Sequence, residues 1–315
     1  MRSLVTGGAG FVGSNLVDAL VERGDDVIVM DDFSSGRREN LAPALEAGAN
    51  LVVGDVADAA AVDALFDEHR LDRVFHLAAQ IDVRRSVADP LFDMRLNVGG
   101  TINLLLASVR CGVRRFVFAS TGGAIYGEGA DRDLPLSEDA ERRPDAPYGQ
   151  SKLAAEGYLD LFVRLHGLPA VALRLGNVYG PRQDPQGEAG VVAIFCGALL
   201  EGSTPKVFGD GMQTRDYIYV GDVVRAFLAA SESDAVGAFN VGTGREASVI
   251  DVGNAIASAY GRPFEPEPAD PRPGEVQRIS IDSSRAASEL GWKAHTNLHD
   301  GLEQTARWAE ADRAP

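Results

Sequence analysis

Leu4 and Val5 form a short apolar stretch, and after a glycine-rich break Phe11, Leu16, Val17, Leu20 and Val21 recur at helical spacing until Gly24 stops the pattern. Val27 to Met30 are apolar again, too few for a helix and flanked by acidic residues, which predicts a second strand. The alternation continues, with further strands expected at Leu51 to Val53, Val74 to Leu77, Arg115 to Ala119 and Ala170 to Leu175, and helical patterns between them. Strands that alternate with helices in this way predict a parallel sheet covered on both faces. After Asn177 the pattern loosens into Pro/Gly-rich loops at Pro181 to Gly190 and Arg262 to Gly274, with helices expected near Val192 to Glu201, Val220 to Ala230 and Val249 to Tyr260. The expected organisation is residues 1–175 as one domain, a later return segment near 217–245, and residues 176–315 as a smaller second domain, with Leu175 to Pro181 as the handover.

The break after the first strand reads Thr6-Gly7-Gly8-Ala9-Gly10-Phe11-Val12-Gly13. Glycines at the start of a helix let the backbone approach a pyrophosphate, whose charge is stabilised by the helix N-terminal N–H groups. The second strand ends at Asp31, followed by Asp32, at the interval where an acidic residue meets the adenosine ribose in dinucleotide folds. A carboxylate there accepts hydrogen bonds from ribose hydroxyls and repels a 2′-phosphate, so NAD is expected rather than NADP, although Arg37 and Arg38 lie nearby and would tolerate a phosphate. The fold class expected is therefore α/β, a Rossmann-type doubly wound parallel sheet with a smaller α/β C-terminal substrate domain.

A second motif follows Pro147: Tyr148-Gly149-Gln150-Ser151-Lys152 opens an amphipathic run through Leu153, Tyr158, Leu161, Phe162 and Leu165. Tyr148 and Lys152 then stand at i and i+4 on one helix face. A tyrosine with an unperturbed pKa near 10 is a poor base at neutral pH, and a neighbouring ammonium favours its phenolate. Such a pair also occurs on ordinary helix surfaces; beside a nucleotide fold it points to proton transfer coupled to hydride transfer. The strand Phe116 to Ala119 delivers Ser120 and Thr121 to the sheet edge where substrates of such folds bind.

Composition narrows the reading. The 315 residues suffice for a large core in one or two domains, and 30 basic against 46 acidic residues leave a net charge of −16. That balance argues against nucleic acid or an anionic membrane as a partner. The two cysteines, Cys111 and Cys196, cannot build a disulfide framework and are expected as small apolar residues. With no leader-like start and no continuous apolar span of membrane length, the expected location is cytoplasmic. His295 and His299 have i, i+4 spacing, but Asn297 and Gly301 suggest a turn and no third ligand is evident, so no metal site is expected.

These motifs, with His76-Leu77-Ala78-Ala79-Gln80, Asn97-Val98-Gly99-Gly100-Thr101, Arg174 to Pro181, Phe208-Gly209-Asp210-Gly211, Thr214-Arg215-Asp216-Tyr217 and Phe239-Asn240-Val241-Gly242, resemble the extended short-chain dehydrogenase/reductases. The similarity spans nearly the whole chain and runs closest to the UDP-glucose 4-epimerase family. It implies that Gly7, Gly10, Phe11, Val12, Gly13, Asp31 and Asp32 bind NAD, with Asp55 and Val56 at the adenine, Leu77, Ala78 and Ala79 at the pyrophosphate and ribose, and Asn97 anchoring the neighbouring helix. It further implies Tyr148 as base and Lys152 on the nicotinamide ribose. Asn177 is expected on the sugar nucleotide, Val207 and Phe208 beside the uracil, and Arg215 and Arg272 on the diphosphate.

Related 4,6-dehydratases carry an Asp-Glu pair where this chain has Gly123 and Ala124, and UDP-glucuronate decarboxylases carry a glutamate there, so redox chemistry without elimination is expected. Many 4-epimerases have a serine or threonine at the position of Gly122, which leaves Thr121, Ser120 or Tyr148 alone to meet the sugar hydroxyl. The implied activity is C4 epimerisation of a UDP-hexose through a 4-keto sugar; the alternatives are a UDP-glucuronate or UDP-N-acetylhexosamine epimerase, another sugar-nucleotide enzyme of the family, or an inactive NAD sensor. The resemblance places Ile279 where an N-acetyl group is gated. It also implies a homodimer through helices near Pro90 to Cys111 and Pro147 to His166, where Leu104, Leu105, Leu161 and Phe162 are apolar and core packing explains them equally well.

Overall fold

The computed structural model describes residues 1–185, 190–272 and 274–313, so part of the expected loop Pro181 to Gly190, and residue 273 of the next loop, lie outside the described residues. Six strands alternate with helices along the first part of the chain: β1 Arg2–Thr6, β2 Asp26–Asp31, β3 Asn50–Val53, β4 Arg73–His76, β5 Arg115–Thr121 and β6 Ala170–Leu175. The strand Gly237–Val241 returns to pair with β6, giving a seven-stranded sheet in the order Gly237–Val241, β6, β5, β4, β1, β2, β3. Every pairing is parallel.

Alternate side chains along these strands enter two separate cores, which is why the strands read as continuously apolar. Val5, Val29, Phe75, Val117 and Val171 pack with Leu16, Val17 and Leu20 of the helix Phe11–Glu22 and Val223 and Phe227 of the helix Val220–Glu232. Leu4, Ile28, Val74, Phe116 and Phe118 face the other way, onto the helices Ala59–Glu68, Gly100–Cys111 and Pro147–His166. The sheet changes direction of winding between β1 and β4, and their C-terminal residues Thr6 and His76 are register partners. In sheets of this kind a crevice opens beyond the strand ends at that point, and the functional motifs converge there.

The later part of the chain builds a third core from Val192, Phe195, Val207, Tyr217, Val252, Ile256 and Leu302. Short strands form where only loops were expected: Asn177–Tyr179 pairs with Tyr217–Tyr219, and Lys206–Phe208 pairs with Glu267–Ala269, inside the loop read from Arg262 to Gly274. Both are three-residue pairings between segments distant in sequence, too short to leave a periodic signal.

Three further details differ from expectation. Cys111 is exposed while Cys196 is buried, because Cys111 closes the helix Gly100–Cys111 at the surface. The stretch Pro90 to Cys111 is not one regular helix: Pro90–Met94 is α-helical, Arg95–Gly99 makes a π turn and Gly100–Cys111 resumes the α-helix. Asn297 caps the helix Leu298–Asp312 through its Oδ1 and Asp300 N, at 3.0 Å, so His295 precedes the helix that carries His299. Among the described residues no helix is long and apolar enough to cross a membrane.

Candidate active site

The glycine-rich turn closes tightly on itself. Gly10 N donates to Gly7 O at 3.2 Å, and a Cβ on Gly13 would lie 2.1 Å from Gly7 O. Gly7 has φ +69°, and a Cβ there would meet Ala78 N at 2.6 Å, so the turn and the end of β4 are packed backbone to backbone. Gly10 is the N-cap of the helix Phe11–Glu22 and brings no side chain to cap it, which leaves the first-turn N–H groups of Phe11, Val12 and Gly13 facing the crevice. Such a turn can cradle a pyrophosphate.

Asp31, at the end of β2, is 6% exposed and both its oxygens are held: Oδ2 accepts from Ala9 N at 2.8 Å and Oδ1 from Phe33 N at 2.9 Å. Burial pushes its carboxyl up, against those two hydrogen bonds. The free lone pairs of a carboxylate so fixed suit a diol, since each oxygen accepts more than one bond. Asp32 is exposed and turns back on Ser34, accepting from its N at 2.9 Å and Oγ at 2.7 Å. Asp55 is exposed and Val56 buried against Gly100, on the far side of the same crevice. Leu77 N donates to Thr6 O at 3.0 Å and Ala78 N to Thr6 Oγ1 at 3.3 Å, which ties the Leu77-Ala78-Ala79 segment to β1. Below them His76 bridges Thr6 Oγ1, at 2.7 Å, and Thr101 Oγ1, at 3.0 Å. Burial first, and the Lys152 ammonium second, push its imidazole down to about 3, so it is neutral. The residues present thus fit a dinucleotide with unphosphorylated ribose.

Pro147 occupies the first turn of the helix Pro147–His166, and Ser86 Oγ accepts from Tyr148 N at 3.1 Å. This start sets Tyr148 and Lys152 on the face turned to β5. Lys152 is 3% exposed; its Nζ donates to Ala119 O at 2.9 Å and lies 4.6 Å from the centre of the Phe118 ring. Burial pushes this ammonium down to about 8, with Asp93 and then Glu156 acting against it. Burial likewise pushes the Tyr148 phenol up to about 12, opposed by a hydrogen bond from Thr121. Thr121 Oγ1 accepts from Ala124 N at 3.2 Å, and its proton is left for Tyr148.

Ser120 is placed differently. Its hydroxyl donates to Glu156 Oε1 at 2.6 Å, and Glu156 also takes the Arg174 guanidinium, with Nη2 to Oε2 at 2.7 Å. Arg174 Nη1 donates to the Tyr126 hydroxyl at 2.7 Å, which donates to Asn240 Oδ1 at 2.8 Å. Ser120 therefore belongs to a buried network under the site, and its proton faces away from Tyr148.

Asn177 begins the short strand beside this group, its N donating to Asp216 O at 2.7 Å. Arg272 lies over the Phe208 ring at 3.8 Å, next to the buried Val207. Arg215 stands 3.8 Å from Glu275, and its guanidinium is pushed down by burial. Ile279 is 2% exposed in a small cluster with Tyr126, Leu136 and Ile281. Gly122 has a specific neighbour: a Cβ there would meet Ile281 Cδ1 at 2.7 Å, so Ile281 fills the space that a serine or threonine would need.

Sequence reasoning missed the supporting carboxylates. Glu156 follows Lys152 at i+4, and Asp93 precedes Asn97 by four, spacings that place each pair on one helix face. Asp216 is buried too, accepting from Thr243 N at 2.8 Å, Gly244 N at 2.9 Å and Ile281 N at 3.2 Å, which pins three segments beneath Asn177.

Residues 3–242 match the NAD dependent epimerase/dehydratase family. A UDP-glucose 4-epimerase of Mycolicibacterium smegmatis is 47% identical over 310 residues, covering 98% of each chain. The crystal structure of a UDP-glucose 4-epimerase of Thermotoga maritima with UDP-glucose superposes with a TM-score of 0.95 at 44% identity, over 99% of both chains. A UDP-glucose 4-epimerase of Thermus thermophilus in complex with NAD gives 0.92 at 42% identity, over 98% of this chain and 99% of that one.

Proposed function

Because the chain belongs to the NAD-dependent epimerase/dehydratase family, we propose that it interconverts UDP-glucose and UDP-galactose by inverting C4 of the hexose. The observation that carries this reading is the meeting of Thr121, Tyr148 and Lys152 at the crevice edge, beside Gly122, Gly123 and Ala124, none of which carries a carboxyl group to drive elimination.

In this reading Tyr148 takes the proton of the 4-hydroxyl, with the Thr121 hydroxyl between the phenol and the sugar, and the Lys152 ammonium favours the phenolate. Bound NAD would supply both the acceptor and the donor of the C4 hydride, so no external reductant would be consumed. The glycine turn with Phe11 and Val12 holds the pyrophosphate, Asp31 the adenosine ribose, and Asp55 and Val56 the adenine edge. Residues 176–315, apart from the return segment 217–245, supply the sugar-nucleotide contacts. There Asn177 hydrogen-bonds the substrate, Arg215 and Arg272 balance its diphosphate, and Val207 and Phe208 flank the base. A nucleotide held so firmly leaves the hexose free to turn between the two hydride transfers.

The working form is a homodimer. Leu91 is 73% exposed, Leu165 65% and Leu106 55%, and with Met94 and Tyr158 they leave an apolar face on the helices Pro90–Met94, Gly100–Cys111 and Pro147–His166. A groove of about 610 Å³ lined by Leu91, Phe92, Met94, Val98, Ile102 and Tyr158 runs along it. Of the four residues that suit either a dimer contact or core packing, Leu104, Leu105 and Phe162 are buried in the core of the subunit. The setting is the cytoplasm, which suits two unpaired cysteines.

The test is incubation of the purified protein with UDP-galactose and no added NAD, followed by proton NMR of the sugar nucleotides. Conversion to UDP-glucose that is lost in Tyr148→Phe is the expected result. No conversion, with or without added NAD, rejects this substrate pair and directs the same assay to UDP-glucuronate and UDP-N-acetylglucosamine.

A further inference from the structure

Two carboxylates are buried beside Lys152, and they differ in how their charge is balanced. Glu156, one turn further along the same helix, is paired with Arg174, and both side chains are almost wholly buried. That charge already has its cation. Asp93 is 0% exposed, its Oδ1 accepting from Gln80 Nε2 at 3.0 Å and Asn97 Nδ2 at 3.1 Å, and its Oδ2 from Ser151 Oγ at 2.5 Å. Both oxygens act only as acceptors, the pattern of an ionised carboxylate. All three donors are neutral, and among the described residues no cation lies within 4 Å of it. The nearby Arg85 and Arg95 lie over the Phe92 ring, at 4.2 and 5.7 Å.

A buried carboxylate without a cation is costly, so its location is informative. The Asn97 amide clasps the Gln80 backbone, accepting from its N at 2.9 Å and donating to its O at 2.9 Å, and this holds the π turn Arg95–Gly99 against the segment after β4. Asp93 sits at the head of that turn and reaches Ser151, which lies between Tyr148 and Lys152 in the chain. π turns are frequent at functional sites because they re-aim side chains that a regular helix would direct elsewhere.

We infer that Asp93 is a positioning residue for the catalytic pair: clamped by Gln80, Asn97 and Ser151, it is the counter-charge that keeps the buried Lys152 an ammonium. The inference rests on the reading of Tyr148 and Lys152 as that pair. Of the other groups facing Lys152, His76 is neutral and Tyr148 is a phenol, while Glu156, which also favours the ammonium, shares its charge with Arg174 and contributes less than Asp93. The Asp93 charge opposes ionisation of Tyr148 directly, so its benefit reaches the base only through the lysine.

The chain has three lysines, Lys152, Lys206 and Lys293, so protein labelled at lysine Cε carries three NMR signals. Lys152 is therefore titrated directly in the purified protein, with no sugar nucleotide. Its midpoint is expected near 8 in the wild type, and lower by about one pH unit or more in Asp93→Asn, with the exposed Lys206 and Lys293 unmoved. Asparagine preserves the clasp, accepting from Gln80 and Asn97 while its amide donates to the Ser151 hydroxyl. A shift in Asp93→Asn of less than about 0.3 unit overturns the inference, because a purely structural Asp93 leaves the lysine charge alone. The wild-type titration decides without any variant: a midpoint of about 6 or below, where a buried lysine with no counter-charge titrates, also overturns it. Failure here leaves UDP-galactose conversion as it is, and failure of that conversion leaves the Lys152 midpoint as it is.

Discussion

Ser120 and Thr121 are neighbours carrying the same functional group, yet only one of them can serve Tyr148. Ser120 donates its hydroxyl hydrogen bond to Glu156, while Thr121 accepts from Ala124 N and keeps its own proton for Tyr148. Thr121→Val keeps the shape of the side chain and removes the hydroxyl, and turnover is expected to fall by at least about tenfold, and by up to about a hundredfold or more if Thr121 carries the proton transfer itself. Near-normal kcat would reject Thr121 as the bridging hydroxyl. Gly122 makes the complementary argument, since Ile281 stands where its side chain would go. Gly122→Ser alone is expected to lose thermal stability by about 1–3 kcal/mol through overpacking. Ile281 is itself buried, so the comparison is made against Ile281→Ala alone: in that background Gly122→Ser should cost much less, and an undiminished cost would show that the clash is not with Ile281. Glycine at 122 was legible in the sequence, but the isoleucine that explains it lies far along the chain.

Among the elements, the turn between β1 and the helix Phe11–Glu22 is the least tolerant. A methyl group on Gly13 would lie 2.1 Å from Gly7 O, backbone against backbone, with no flexible side chain to yield. Gly13→Ala is thus expected to purify with little or no NAD, measured by extraction and chromatography, while Gly48→Ala, which meets nothing within 4 Å, shows what strain at a positive φ alone does. Retention of wild-type NAD content by Gly13→Ala would show that the turn is not the pyrophosphate cradle. These glycines were readable because their spacing reflects a local steric demand. The π turn at Arg95–Gly99 was not, because it arises where Asn97 is drawn to Gln80, a contact across 17 residues.

For the assembled subunit, the apolar face of Leu91, Met94, Leu106, Tyr158 and Leu165 sets the expectation. Leu106→Glu combined with Leu165→Glu places charges where a partner would bury leucines, and sedimentation velocity should show the shift from dimer to monomer. A wild-type chain that already sediments as a monomer would reject the dimer. Beneath that face the Glu156–Arg174 pair, linked to Ser120, Tyr126 and Asn240, joins β5, β6, the catalytic helix and the returning strand into one unit. Glu156→Gln strands the Arg174 charge and is expected to cost about 3–5 kcal/mol in urea unfolding, as breaking one side of a buried ion pair does.

Several features follow from short-range physics and were therefore present in the order of residues: the apolar strands and their alternation with helices, the glycine turn, the acidic end of β2, and Tyr148 and Lys152 one helical turn apart. Each depends on sterics or periodicity within about 20 residues, the reach of one strand, turn and helix. The order of the seven strands, the pairing of Asn177–Tyr179 with Tyr217–Tyr219, the seat of Asp93 against Ser151 and the choice of Thr121 over Ser120 depend instead on which distant segments pack together. So does the exposed apolar face, since Leu105 and Leu106 are adjacent and equally apolar, yet one is fully buried and the other more than half exposed. Neighbouring residues of one type diverge in role because burial and hydrogen-bond partners belong to the packed fold, and a linear pattern records only which residue types are available for it.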